Sequence, residues 1–439
     1  MSIENFKCFK KADFDLGRVT LLTGANSSGK SSVIYSILGA IQSGEFPFQF
    51  SPNGKYVNMG NFREMSHQQK RDHLIKIGIH FEEKIQNKID ITTYWEEDKK
   101  RKLPRLHELE LKGEYFSLHI RERENKYLLN FECSPKDFDA KEFDSEMAKN
   151  VIVNFLGELF NNLDIVKFVP KEKAKKSIKL TFKDFNELDR LIIKSKHFYL
   201  AFVYSLMKYS ITNFDKGINF ISSFRLYPQR TYYEKSKTEL KVGRFGENYE
   251  DQIILWETKK TKEYKALLDI MKNLSLLEDI ASKRLEGGRY ELLVKTQKNG
   301  VLASLNDVGF GISQFLPIIV ADLQLDDHST LFLAQPEIHL HPSVQSAFGD
   351  YVMDFIKKTG KKYVIETHSE YLINKIRLGI VKNQVSADDV RAYYLQNNGD
   401  DVTVHELTFT TDGRILNAPE DFFKTYMMDV MDIAMNAKK

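Results

Sequence analysis

Gly24 to Ser32 reads GANSSGKSS, with glycines, lysine and hydroxyls at the spacing G-x-x-x-x-G-K-[ST]. Before it comes a strand-like stretch, Arg18–Thr23; after it, Val33, Ile34, Ile37, Leu38 and Ile41 recur at helical spacing. A strand feeding a glycine-rich loop and then a helix is the context this motif requires. Its chemistry is phosphate binding. The glycines let backbone N–H groups turn inward, and the helix start adds the positive end of its dipole. The expected ATP cradle is Gly24, Asn26, Ser27, Ser28, Gly29, Lys30, Ser31 and Ser32, with Lys30 on the β- and γ-phosphates and the Ser31 hydroxyl on Mg²⁺. GTP fits the same motif.

Three later stretches carry further candidates. Asn306 to Val320, NDVGFGISQFLPIIV, combines a glycine-rich turn, the Ser313 hydroxyl and a helix start, which suits a γ-phosphate. Its plainer reading is a core helix with a glycine-rich start. Thr330 to Pro342, TLFLAQPEIHLHP, is an apolar strand running into a loop with Gln335, Glu337, His339 and His341. Alternate residues of a strand share a face, so His339 and His341 could pair on a metal, but no third ligand stands at metal spacing. VIETHSEYLINKI places Glu366 and His368 after another apolar run.

The elements that must position these residues follow from hydrophobic periodicity. Strands are expected at Ile3–Phe9 and Arg18–Thr23, and a strand-rich sheet between Ile75 and Phe131. From Pro135 to about Phe214 the pattern turns helical, as in MAKNVIVNFLGELFNNL. INFISSF, RYELLVKT, TLFLAQPE and KKYVIETHS read as strands, with a helix near Val344–Lys357. This rhythm predicts an α/β core with an inserted lobe. The expected divisions are an N-terminal lobe (1–134), a helical insertion (135–215), a C-terminal lobe (216–385) and a small C-terminal domain (386–439).

The 439-residue chain is 42% apolar and 28% charged, with a net charge of +3. That predicts a soluble protein with no overall polyanion-binding signature, so any nucleic-acid surface is local. Cys8 and Cys133 are the only cysteines, which excludes a disulfide framework and argues against structural zinc. The first residues lack a signal peptide's apolar run, and FGISQFLPIIVADLQL is too short to span a membrane. A cytoplasmic location is the default expectation. The basic runs at Lys99 (KKRKLPR) and Lys171 (KEKAKKSIK) read as solvated more readily than as DNA contacts. No nuclease constellation is present.

IENFKCFKKADFDLGRVTLLTGANSSGKSSVIYSIL resembles the N-terminal lobe of SMC/RecF/OLD-type ATPases, the ABC-related branch, and the three later stretches resemble that branch's signature, Walker B with D-loop, and switch-histidine segments. FISSFRLYPQRTYY, VGRFGENYEDQIILW and the tail VHELTFTTDGRILNAPEDFF resemble blocks of bacterial AAA ATPases that end in a small domain of unknown function. The resemblance implies an ABC/SMC-like P-loop ATPase head with a mixed β lobe and an inserted helical subdomain. It implies a homodimer or higher oligomer closing around ATP, with Gly309, Gly311, Ser313 and Gln314 acting in trans and His339 and His341 in the D-loop, and nucleic acid as a possible further partner. His368 falls at the switch position. Ala334 falls where the branch keeps its metal-binding acid, and Gln335 where it keeps its general base. Catalytic candidates are then Gln335, Glu337 and His368, with Ser31 on Mg²⁺ and Glu337 or Glu366 behind it. A slow ATPase follows, acting as a switch on a separately encoded effector, a nuclease or toxin. Septu-type antiphage ATPases belong to this broad group, which implies nucleic-acid surveillance or defence by analogy only. The rival readings are a RecF-like repair ATPase and a nucleotide-loaded scaffold.

Overall fold

The computed structural model describes residues 1–82, 88–114, 116–134, 177–195, 197, 199–201, 203–205, 207–208, 215–233, 241–419 and 422. The chain forms two compact units, one of residues 1–14 and 35–216, the other of 15–34 and 217–439. The expected N-terminal lobe is therefore divided, because the P-loop strand belongs to the second unit.

The first unit is built on an eight-stranded antiparallel sheet of order β2-β1-β4-β5-β6-β7-β8-β9. β1 (Ser2–Phe6) and β2 (Phe9–Asp13) form a hairpin. The single strand expected at Ile3–Phe9 is thus two, reversed at Lys7, whose φ is 52°. β4 (Ile75–Glu82), β5 (Lys88–Glu97), β6 (Pro104–Lys112), β7 (Phe116–Arg123) and β8 (Lys126–Cys133) run as a meander. In β8 every second residue is buried, the pattern of a sheet with one solvated face. β9 (Ser177–Phe182) adds a strand inside the stretch expected to be helical. SIKLTF alternates with period two, so a strand is the consistent outcome. Residues 135–176, including the MAKNVIVNFLGELFNNL segment, lie outside the described residues.

The second unit carries a seven-stranded sheet of order β10-β15-β16-β3-β17-β18-β19. β10 (Ile218–Ile221), β15 (Thr330–Ala334), β16 (Lys362–Glu366), β3 (Val19–Gly24) and β17 (Val390–Asn397) are parallel. β18 (Val402–Phe409) and β19 (Ile415–Leu416) return antiparallel. The central strands are buried almost throughout, which explains their unbroken apolar runs. β17 pairs with β3 from Val390↔Val19 to Leu395↔Gly24, so residues expected in a small C-terminal domain complete this sheet instead. A smaller sheet holds β11 (Tyr232–Tyr233), β12 (Asp279–Leu285), β13 (Arg289–Lys295) and β14 (Ala303–Ser304).

Helix α1 (Lys30–Gln42) starts directly after the P-loop. The helices lying wholly within the second unit include α2 (Tyr249–Lys259), α3 (Lys262–Asn273), α4 (Phe310–Gln324), α5 (Pro342–Thr359) and α6 (Glu370–Val381). α4 is buried from Ile312 to Asp322, and Asp322 is wholly enclosed. Its carboxylate accepts from the Tyr351 and Tyr363 hydroxyls and pairs with Lys361 at 3.2 Å. This satisfied buried network ties α4, α5 and β16 together; removing one charge of such a pair typically costs ~3–5 kcal/mol. Among the described residues no helix is long and apolar enough to cross a membrane.

Candidate nucleotide-binding site

The loops following β3, β15 and β16 all leave the carboxyl ends of neighbouring parallel strands, where open α/β sheets place their ligands. Gly24 ends β3 at φ 133°, and a Cβ there would stand 2.2 Å from the Leu395 carbonyl oxygen of β17. Only glycine fits. Ser27 (φ 59°) and Gly29 (φ 100°) complete the turn, and Ser32 and Val33 donate to the Gly29 carbonyl as α1 begins. Asn397 donates from Nδ2 to the Ser27 carbonyl at 2.9 Å, bracing the loop from β17. Asn26 is exposed at its tip and Ser28 is buried beneath it.

Lys30 is only 3% exposed, folded over the loop with Nζ donating to the carbonyls of Ala25 (2.7 Å) and Gly24 (3.1 Å). Burial lowers its pKa, and the charges of Glu366 and Glu337 oppose that shift. Ser31 Oγ donates to Glu366 Oε2 at 2.7 Å. Burial raises the Glu366 carboxyl above its ordinary pKa, against the Ser31 hydrogen bond and the Lys30 charge. A hydroxyl and a carboxylate oxygen in contact beside a P-loop suit Mg²⁺, which takes oxygen ligands.

β15 ends at the buried Ala334, and the chain then turns at Gln335, whose φ is 47°. The Gln335 N–H donates to the Glu366 carbonyl at 2.7 Å. Glu337 bends back so that Oε1 accepts the His368 N–H at 2.6 Å. Burial raises the Glu337 carboxyl above its ordinary pKa; the His368 amide pulls the other way. Partial burial and then the Lys30 ammonium hold the His368 imidazole below its ordinary pKa, favouring the neutral ring. The structure thus gathers Lys30, Ser31, Gln335, Glu337, Glu366 and His368 around one loop cluster.

The cluster also holds Arg225, which sequence reasoning passed over. It is 3% exposed, donates from Nη2 towards the Gln335 carbonyl (3.4 Å) and from Nη1 to Ser222 O (3.3 Å), and leaves Nε without a partner among the described residues. Burial lowers its pKa to about 10, offset in part by Glu337. Its residue type inside FISSFRLYPQRTYY was the only available signal.

The signature and D-loop candidates meet each other. Gly309 caps α4, and a Cβ there would meet nothing within 4 Å. A Cβ on Gly311 would stand 2.7 Å from the His339 carbonyl oxygen, and the His339 ring lies edge-on to Phe310 at 4.7 Å. Ser313 lies a turn inside the helix, buried, with its hydroxyl donating to Phe310 O at 2.9 Å; Gln314, also buried, donates to Leu226 O at 3.2 Å. Gly309 and Phe310 stand at the start of this helix. His341 caps α5, accepting from Ser343 N at Nδ1. Neither histidine joins a potential metal cluster among the described residues. Of the basic runs, the first forms the β5–β6 turn, with Asp98 accepting from Lys100 N and Arg101 N and Arg105 paired to Glu96. Residues 171–176 of the second lie outside the described residues.

A family profile described as an AAA ATPase domain matches residues 1–373. No curated protein matches the chain. Among solved structures, the SMC head domain from Thermotoga maritima aligns with 92% of this chain and 97% of its own, at 9% identity and a TM-score of 0.37. An SMC head bound to the C-terminal winged-helix domain of ScpA aligns with 93% of this chain and 96% of its own, at 10% identity and TM-score 0.40. An SMC head with an extended coiled coil, bound to the C-terminal domain of ScpA derived from Pyrococcus furiosus, aligns with 100% and 98%, at 12% identity and TM-score 0.36. The P-loop at the carboxyl edge of a parallel sheet and a profile match over most of the sequence lead to one conclusion: the chain belongs to the AAA ATPase domain family.

Proposed function

We propose that this chain is a slow, ATP-dependent switch, two copies of which close around ATP and hold that state long enough for a separate effector to respond. The observation that carries this reading is the pair at the end of β15, where Ala334 and Gln335 supply no carboxylate beside an otherwise complete P-loop. Lys30 exchanges its hold on the Gly24 and Ala25 carbonyls for phosphate oxygens. Ser31, Glu366 and Glu337 are the oxygen donors available to Mg²⁺, which when bound with nucleotide neutralises phosphate charge. Gln335 cannot take a proton at neutral pH but can orient an attacking water. Glu337, held by the His368 amide and raised in pKa by burial, is the better base. Neutral His368 faces the same space and can sense the terminal phosphate.

Closure places the start of α4 from one copy over the P-loop of the other, and its open glycine, Gly309, leaves room for that approach. Two identical chains then make two sites with closed twofold symmetry. The effector, a nuclease or toxin, and a role in nucleic-acid surveillance or antiphage defence follow from the sequence resemblance. The test is ATP binding and steady-state phosphate release by the parent and by Lys30→Ala. The variant should lose both, because the lysine is the cation that the motif sets on the β- and γ-phosphates. Near-normal affinity in Lys30→Ala overturns the reading, whereas parental binding without release replaces it with a nucleotide-loaded scaffold.

A further inference from the structure

We propose that Glu366 carries the metal-binding carboxylate that β15 lacks, an acid moved sideways by one strand of the parallel sheet. The proposal rests on the nucleotide–magnesium reading above and assigns its acid. In the ladder between β15 and β16, Ala334 pairs with Glu366. Paired residues of adjacent strands share a face and lie ~4.8 Å apart. A carboxylate shifted from Ala334 to Glu366 therefore keeps its depth and its face of the sheet.

The shift runs towards the P-loop, because β16 lies between β15 and β3 and pairs Glu366 with Leu22 of the P-loop strand. It brings Oε2 to 2.7 Å from Ser31 Oγ, the hydroxyl expected on the ion. Glu366 is 5% exposed, and an acid so enclosed is costly unless a partner or cation uses its charge. Its main chain also serves the site, since its carbonyl accepts the Gln335 N–H. One residue thus supplies an oxygen beside Ser31 and fixes the start of the loop carrying Gln335 and Glu337. Alanine at 334 is then accommodated, because a second carboxylate across the ladder would repel the first.

The experiment moves the acid back. Parent, Glu366→Gln and the double variant Ala334→Asp/Glu366→Gln are compared for affinity towards a non-hydrolysable ATP analogue, with Mg²⁺ and with EDTA. Mn²⁺ binding to each nucleotide complex is followed by electron paramagnetic resonance, and thermal melts verify folding. Glutamine keeps the size of the side chain and an acceptor for Ser31. Glu366→Gln should bind analogue in EDTA like the parent but hold Mn²⁺ at least about 10–100-fold more weakly, the loss that follows even when a group behind the metal's ligands is removed. The double variant should recover most of that loss. Parental Mn²⁺ affinity in Glu366→Gln overturns the proposal and leaves Glu366 as a mere acceptor for Ser31. Failure of the folded double variant to recover overturns the cross-strand equivalence. Should Glu366→Gln not fold, Glu366→Asp takes its place; retaining the charge at shorter reach, it should weaken Mn²⁺ binding only in part, and parental affinity there overturns the proposal as well. A parent indifferent to metal and nucleotide alike defeats the nucleotide reading itself, a separate result.

Discussion

Under the proposed reading, Gln335 and Glu337 divide between them a task that one carboxylate would ordinarily perform, and their geometry sets which experiment separates them. Gln335 sits at φ 47° with its N–H on the Glu366 carbonyl, so its backbone is fixed whatever side chain it carries. Gln335→Glu should therefore add a base without moving the loop and raise phosphate release ~10-fold or more, a fraction of the ~10²–10⁴ that general bases contribute. Glu337→Gln should remove most residual turnover while leaving nucleotide binding intact. The pH profile gives the sign. Burial raises the Glu337 pKa, so a base at this position loses activity as pH falls through a value above the ordinary carboxylate range. That acid limb should be present in the parent and absent from whatever rate Glu337→Gln retains. A brisk parent indifferent to Glu337→Gln would place the base elsewhere, with Glu366 next. The P-loop was legible because its chemistry is contiguous in sequence. The place of Glu366 was not, since it depends on the register between two strands about thirty residues apart in the chain. Arg225 was hidden for the same reason, more than a hundred residues from the carbonyl it approaches.

In the proposed closure the start of α4 is where an element, rather than a residue, decides what the site can do. Gly311 packs so closely on the His339 carbonyl that a methyl there must displace backbone, whereas Gly309 opens onto free space at a φ any residue can adopt. Gly311→Ala should therefore cost ~1–3 kcal/mol, the range for overpacking, and Gly309→Ala almost nothing. Thermal melts of the two variants check this, and equal midpoints would mean the loop yields freely. The contrast shows what periodicity could and could not reveal. The glycine-rich start of the helix is plain in NDVGFGISQFLPIIV, but helix phase is not: Ser313, expected to act on a second copy's phosphate, lies a turn inside with its hydroxyl on Phe310. The same limit split the first expected strand: Lys7 reverses the chain at positive φ without the glycine or proline that marks most turns. β17 joins the sheet through β3, a partner from the other end of the sequence that local periodicity does not point to.

At the scale of the whole molecule, the proposed closure makes each copy half of two sites, because a chain brings one P-loop and one α4 start, and that arithmetic is testable without an effector. Gly309→Arg places a long cation where the structure leaves open space, so the chain should fold and bind ATP yet fail to complete the one site that its own α4 start faces. Lys30→Ala keeps an intact α4 start but loses its own nucleotide. Each variant alone should be inactive. Mixed in equal amounts, half of the dimers are heterodimers, and in each of these the P-loop of the Gly309→Arg chain faces the unaltered α4 of the Lys30→Ala chain. One of the two sites is then complete, so the mixture should recover about a quarter of parental turnover if chains assort freely. Turnover per chain in the parent should also rise with protein concentration until the dimer saturates. If the mixture stays at the level of the separate variants while parental turnover is independent of concentration, hydrolysis occurs within a single chain. The open ground before α4 would then have to serve some contact other than a second copy's phosphate.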